Sequence, residues 1–291
     1  MGSGFRFGVA MTSSGSRDDW IEKCRRAEGF GYDVIGVPDH LGMTAPFPAL
    51  IVAAEATQHV RLNTFVLNAP FYDPTLLARE VATVDQLTGG RVELGLGAGW
   101  VRAEFDAANI PFLTGGQRVA HVAQTAATLR RLFADPAYRP RPTQPGGPPL
   151  LIAGWGERML RTAAEHADII ALTAAATADD GRMILATQAE TANRIARIRT
   201  LLGPRSDTTD INLVIQALLA PHENESALAP LARYLTMGKD TDLEDYPALL
   251  VGTPHHMADQ LRHRRETYGI DYITVLERNM AKFAPILELL R

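Results

Sequence analysis

The chain has 291 residues, of which 46% are hydrophobic and 21% charged, and a formal net charge of -4. That length suffices for one large core and suits an α/β barrel, while the acidic balance offers no overall basic field for nucleic acid or an anionic membrane surface. No apolar run approaches the roughly 20 residues of a membrane span, and the one cysteine, Cys24, has no partner for an intramolecular disulfide, so a small-molecule partner and a reducing, cytoplasmic setting are expected.

Met1 to Gly4 leads directly into a strand pattern rather than a signal peptide. Apolar runs of strand length then alternate with segments of helical period, which predicts parallel strands joined by crossover helices. The first strand is Phe5 to Met11. A helix follows from Ser16, where Ser16 and Asp19 form a capping-box-like start and Trp20, Ile21 and Cys24 begin the apolar stripe. Strand two, Asp33 to Pro38, precedes a helix from Phe47 to Gln58; strand three, Val60 to Leu67, precedes one from Asp73 to Leu87. Gly89-Gly90 closes that unit. Strand four is Arg91 to Leu96, with its helix at Gly116 to Phe133 and then a proline-rich loop, Pro136 to Pro149. Strand five is Pro149 to Ala153, with helix Glu157 to His166; strand six is Asp168 to Thr173, with a long helix from Ile184 to Leu202. Strand seven, Ile211 to Leu219, leads into Pro221 to Leu250, read as partly helical and as a lid or subunit contact. A helix from Pro254 to Tyr268, strand eight at Tyr272 to Leu276 and a closing helix at Ala281 to Leu290 complete the set.

Eight such units favour a closed (β/α)8 TIM barrel with a helical excursion after strand seven; an open doubly wound sheet is the alternative. Gly95, Gly97 and Gly99 alternate after strand four, but Trp100 stands where a dinucleotide-binding turn would start its helix. The glycines therefore read as a strand end where backbone approaches something closely, a ring being one option.

In a barrel, polar residues at the C-terminal strand ends face the active-site mouth. Those ends carry Asp39-His40, Asn68, Gly97-Ala98-Gly99-Trp100 with Arg102 and Glu104 beyond, Gly154-Trp155-Gly156, Thr173, Gln216 with His222, and Glu277. His40 is the first acid/base candidate, with neighbouring Asp39 to fix its tautomer, although a lone histidine there is often structural. Glu104 reads equally as a buried carboxylate beside a coenzyme or as a solvated helix residue. The turn from Gly154 to Arg158 runs from strand into helix, where free N–H groups bind phosphate; a plain turn is the competing reading. The histidines lack ligand spacing, so no metal is expected.

Val37-Pro38-Asp39-His40, Arg61 to Leu67, Asp73-Pro74 before Leu77-Ala78-Arg79-Glu80, and Gly89-Gly90-Arg91 through Trp100 together resemble the luciferase-like monooxygenase superfamily, and within it the branch using coenzyme F420. The resemblance is dense to about Phe133, resumes at Pro148 to Asp168 and thins from Ala174. It implies one luciferase-like barrel domain over 1–291 with deazaflavin in its mouth, against a non-prolyl cis peptide at Phe65-Val66. It further implies His40 as the catalytic histidine and Glu104 as its acidic partner. Asp39, Phe65, Val66, Asn68, Gly97, Gly99 and Trp100 would line the coenzyme. The backbone of Gly154, Trp155 and Gly156 would hold its phosphate, with Arg118 and Arg158 as cationic partners for phosphate or tail. Relatives of similar phrasing use FMN, so an FMN-dependent monooxygenase fed by a reductase is the alternative, and a non-catalytic coenzyme-binding barrel the third reading. The family often forms homodimers. The short link after Phe133 departs from the relatives, so pocket walls built there are not carried over.

Overall fold

The alternation of the sequence is realised as a ring of parallel strands inside a shell of helices. The computed structural model describes residues 4–12, 15–177, 182–223, 228, 235–237 and 242–291. Along the chain come β1 (Arg6–Ala10), α1 (Arg17–Gly29), β2 (Val34–Val37), α2 (Pro46–Ala56), β3 (Arg61–Thr64), β4 (Leu67–Asn68), α3 (Pro74–Leu87), β5 (Val92–Gly97) and α4 (Arg102–Ala107). They continue with α5 (Gly115–Ala134), β6 (Leu150–Gly154), α6 (Glu157–His166), β7 (Ile169–Leu172), β8 (Ala175–Thr177), β9 (Met183–Leu185), α7 (Gln188–Leu202) and β10 (Asp210–Ile215). The last are β11 (Ala217–Leu219), β12 (Leu235–Thr236), β13 (Leu249–Val251), α8 (Pro254–Tyr268), β14 (Tyr272–Leu276) and α9 (Met280–Leu290). β1 pairs with β2 and β14; the ladder passes from β14 through β10, β7 and β6 to β5, and β5 returns to β3, which pairs with β2. Every pairing in this ring is parallel, so it is a closed eight-stranded barrel whose third stave is the interrupted pair β3 and β4.

Side chains alternate along each strand, one set inward and one toward the helices. The inward cluster is small: Val34, Leu151, Ile169, Ala171 and Tyr272, with Phe65, Val66 and Ala153 against it. The larger core lies between staves and helices, and includes Trp20, Cys24, Leu50, Leu77, Leu129, Leu160 and Phe283.

The break between β3 and β4 explains the alternating glycines. The Phe65-Val66 peptide bond is cis, and the chain there bulges against β5. A Cβ on Gly95 would lie 2.0 Å from the Thr64 carbonyl oxygen, one on Gly97 2.7 Å from a Val66 methyl, and one on Gly99 2.3 Å from the Asn68 side-chain oxygen. What those glycines approach is therefore strand three itself, and no ring is needed to explain them. Thr64 replaces the missing ladder bonds: its hydroxyl accepts from the Gly95 N–H at 2.9 Å and donates to the Gly95 carbonyl at 3.0 Å. Gly95→Ala should therefore destabilise the fold by about 3 kcal/mol or prevent it, because backbone cannot yield as a side-chain tip can. Gly29→Ala, where a Cβ meets nothing within 4 Å, should be neutral or mildly stabilising. Urea unfolding of the two variants checks this, and equal midpoints would refute it.

At the opposite end of the barrel, Glu93 is 1% exposed and pairs with both Arg6 and Arg61. Arg61 also donates to the Gln144 side-chain oxygen at 2.9 Å, and Gln144 is held by Asp85 through its own N–H at 2.9 Å and its amide at 2.7 Å. The proline-rich loop thus caps this end.

Several boundaries depart from expectation. Residues 183–185 are strand rather than helix: β8 and β9 form an antiparallel hairpin, β12 adds to β9, and α7 starts only at Gln188 behind a Thr187–Glu190 capping box. Strand seven divides at Gln216. Its second part, β11, leaves the barrel to pair with β13, and the Gln216 N–H goes to the Ala248 carbonyl at 2.7 Å. Within Pro221 to Leu250, the described residues hold β12, a 3-10 turn at Leu243–Asp245 and the start of β13, and much of the expected helical excursion falls outside the described residues. The Ser16–Asp19 capping box forms. Among the described residues no helix is long and apolar enough to cross a membrane.

Candidate active site

Proline 38 and the end of β2 carry the chain out of the barrel at Asp39 and His40. The two side chains do different work. The His40 Nδ1 sits 2.7 Å from the Glu104 Oε1, with the side chains 31% and 14% exposed. Glu104 reaches it from α4, a short helix opened by the tight glycine turn after β5. The Trp100 ring stands edge-on to the imidazole, centroids 6.4 Å apart at 83°. So the tautomer of His40 is set by Glu104, and the expectation that Asp39 would set it is corrected.

Asp39 turns instead to strand three. Its carboxylate accepts from the Asn68 N–H at 3.0 Å and from the Tyr72 hydroxyl at 3.1 Å. Burial pushes the Asp39 carboxyl above its usual range against the pull of those donors, and burial beside Asp39 pushes the Tyr72 phenol up, keeping it a donor. Phe65 N–H reaches the Val37 carbonyl at 2.8 Å, and a Cβ on Gly36 would lie 2.8 Å from the Phe65 Cβ. The end of β2 and the cis bulge are therefore one wall. Among the described residues the Asn68 side-chain oxygen finds no hydrogen-bond partner and is buried at this wall. Tyr72 was missed from the sequence because, one residue before the Asp73 helix cap, it reads as loop.

The turn after β6 starts α6 with Gly156 at the N-cap and no side-chain cap. A Cβ on Gly156 would meet nothing within 4 Å, so the space on its side-chain side is open. Gly154 is closed off by Met159, whose side chain would lie 2.4 Å from a Cβ there. Trp155 is half-buried with the Arg194 guanidinium 5.2 Å above its ring. Arg158 is exposed and lies against Gly116, at the start of α5. Arg118 is engaged elsewhere: its Nε donates to the Gly99 carbonyl at 3.2 Å, it also bonds the Leu113 carbonyl, and it stacks on Phe112 at 4.0 Å. Arg102 covers the same ring at 4.6 Å. Arg118 thus secures the loop after β5, and of the two arginines expected at an anion Arg158 is the one that lies beside the start of α6.

Among the other strand-end candidates, Glu277 accepts from the Thr12 N–H at 2.7 Å and pairs with Lys23, tying the loop after β1 to α1. The Thr173 hydroxyl donates to the Ala175 carbonyl at 3.1 Å. Neither joins the His40–Glu104 pair.

Relatives of this chain include both flavin-dependent and F420-dependent enzymes. The oxygenase component of a flavin-dependent trigonelline monooxygenase from Acinetobacter baylyi is 30% identical over 47% of this chain and 42% of its own length. An F420-dependent glucose-6-phosphate dehydrogenase from Amycolatopsis mediterranei is 31% identical over 40% of this chain and 38% of its own length. The matched stretches thus span less than half of either relative. In fold, an F420-dependent secondary alcohol dehydrogenase solved with an F420-acetone adduct superposes with a TM-score of 0.77 at 16% identity, over 99% of this chain and 98% of that one. The family model for luciferase-like monooxygenases matches residues 3–271. With that match over nearly the whole chain, on a barrel of the same architecture, the protein belongs to the luciferase-like monooxygenase family.

Proposed function

We propose that the chain is an F420-dependent oxidoreductase that transfers a hydride between the deazaflavin and a small organic substrate, oxidising an alcohol or reducing a C=C or C=N bond. The observation that carries this reading is the 2.7 Å His40–Glu104 contact at the C-terminal end of the barrel. Hydride transfer to or from such substrates needs a proton moved at the neighbouring atom, and a histidine held by a carboxylate is suited to that near neutral pH. An F420-dependent dehydrogenase among the relatives supports the coenzyme.

When bound, the deazaflavin supplies the hydride chemistry. The residues present fit such a group: a wall of β2 end and bulge for the ring, the orphaned Asn68 oxygen, and the open α6 N-terminus with Arg158 for a phosphate. Glu104 accepts the Nδ1 proton of His40, which leaves Nε2 as the atom that takes the proton of a substrate hydroxyl or returns it. As that proton arrives, the Glu104 carboxylate stabilises the imidazolium. Trp100 stands edge-on to the ring at the rim of the site. Asp39 and Tyr72 hold the Asn68 backbone, and with it the bulge on which the ring would rest.

Titration with F420, followed by its visible absorption, with FMN in parallel, tests the reading. Saturable F420 binding and turnover with an alcohol series are expected. Turnover only with reduced FMN and oxygen would replace the reading by a monooxygenase, and coenzyme binding without turnover of any substrate would favour a non-catalytic barrel. Gly156→Asp places a carboxylate where the phosphate would sit, so F420 affinity should fall about tenfold or more; unchanged affinity would make the turn merely structural.

A further inference from the structure

Glu104 meets His40 from an element that cannot stand by itself. α4 has six residues and no side-chain cap at its start, and an isolated helix that short does not persist in water. Two contacts fix it. One is apolar: Phe105, fully buried, packs edge-on against Phe71 and Phe112, with ring centroids 5.0 and 4.9 Å away. The other is polar and comes from the start of α5. There the Arg118 Nε donates to the carbonyl of Gly99, before α4, at 3.2 Å, and its Nη1 donates to the carbonyl of Leu113, after α4. The same guanidinium lies 4.0 Å over the Phe112 ring.

One side chain thereby closes the segment from Gly99 to Leu113 at both ends. That segment carries Trp100, edge-on to the imidazole at 6.4 Å between centroids, and Glu104, 2.7 Å from the His40 Nδ1. Bringing the ends of a loop together removes most of the conformations otherwise open to it. A guanidinium suits the task, because its donors stand in a fixed plane and can bridge two carbonyls at a set separation, while an ammonium is a single point of charge. Both acceptors are neutral carbonyls, and among the described residues no carboxylate pairs with Arg118.

We infer that Arg118 is a positioning residue of this site: by tying Gly99 to Leu113 it holds Glu104 on the His40 Nδ1 and so fixes the tautomer of the imidazole. This differs from the role that the family resemblance implies for Arg118, a cationic partner for the coenzyme's phosphate or tail. It rests on the His40–Glu104 pair and not on which coenzyme the barrel takes.

The test reads the imidazole nitrogens of the full chain by 15N magnetic resonance, without coenzyme, at a pH where histidine is neutral. The His40 signals are those missing from His40→Ala. The parent should carry the His40 proton on Nδ1. In Arg118→Met, which keeps an apolar stem and loses the donors, the ratio of the Nδ1–H to the Nε2–H form should fall about tenfold, the order of a hydrogen bond to a charged group. Arg118→Lys keeps the positive charge and loses the planar fork, so the ratio should fall there as well; this milder change decides alone if Arg118→Met does not fold. Affinity for F420 and for FMN, followed by absorption, should stay within about twofold of the parent in Arg118→Lys. A tautomer ratio unchanged in a folded variant would overturn the inference, and with coenzyme affinity lowered would return Arg118 to the role of anion partner. A parent with its proton on Nε2 would overturn it too. The tautomer is read without coenzyme or turnover, so a protein that binds neither F420 nor FMN would end the F420 reading and leave this test standing.

Discussion

Replacing His40 with alanine is expected to lower turnover about 10²–10⁴-fold while coenzyme affinity stays within a few fold, the range a positioned general acid/base contributes. The separation follows from where the side chain is. Its contacts are to Glu104 at 2.7 Å and to the edge of Trp100, not to the strand-three wall that the ring would rest on. Glu104→Gln should give a smaller loss in kcat than His40→Ala: an amide oxygen can still accept from Nδ1, but it cannot neutralise the imidazolium. Combining both changes should cost little more than His40→Ala alone, since the two residues act as one unit. The measurement is steady-state turnover with a working substrate, alongside F420 binding by absorption. Turnover within about threefold of the parent in His40→Ala would move the proton to another group and overturn the mechanism.

Replacing Glu93 with alanine should lower the stability of the fold sharply while leaving the chemistry intact. Glu93 is 1% exposed and is shared by Arg6 and Arg61, whose side chains are 25% and 32% exposed. Removing it leaves two guanidiniums facing each other in a half-buried site. Burial already lowers the Arg61 pKa, and Arg6 adds to that. Breaking a buried ion cluster by deleting one partner costs roughly 3–5 kcal/mol, and the partial exposure of both arginines favours the lower end. At about 2–4 °C per kcal/mol for chains of this order, Tm should fall by about 6–12 °C. Glu93 sits at the end of the barrel remote from His40, so kcat of the folded variant should be unchanged. A thermal melt that shifts by less than about 2 °C would show that the cluster contributes little net stability.

The barrel was legible because its signals are local. Parallel staves buried on both faces read as continuous apolar runs, helices read by their period and caps, and Gly-Gly and proline marked the turns. The acid/base candidates were legible for the same reason, since a strand end in a barrel has a known direction. The expectation of a cis bond at Phe65-Val66 came from resemblance, because nothing in the local pattern of strand three marks a break there. The small sheet of β8, β9 and β12 escaped because Ile184 and Leu185 read as the first apolar positions of α7, although the Thr187–Glu190 capping box marks the helix start just after them.

What the sequence by itself determined is the order of staves and helices and the set of residues at the strand ends. What local pattern left open, and the tertiary structure decided, is which of those residues act on one another. Asp39 adjoins His40 in the chain, yet successive side chains of an extended segment point apart, so Asp39 went to Asn68 and Tyr72 while Glu104, distant in sequence, took the imidazole. The alternating glycines of β5 likewise gained their meaning only from the strand packed beside them, where the Thr64 carbonyl and the side chains of Val66 and Asn68 fill the space that Cβ atoms would need.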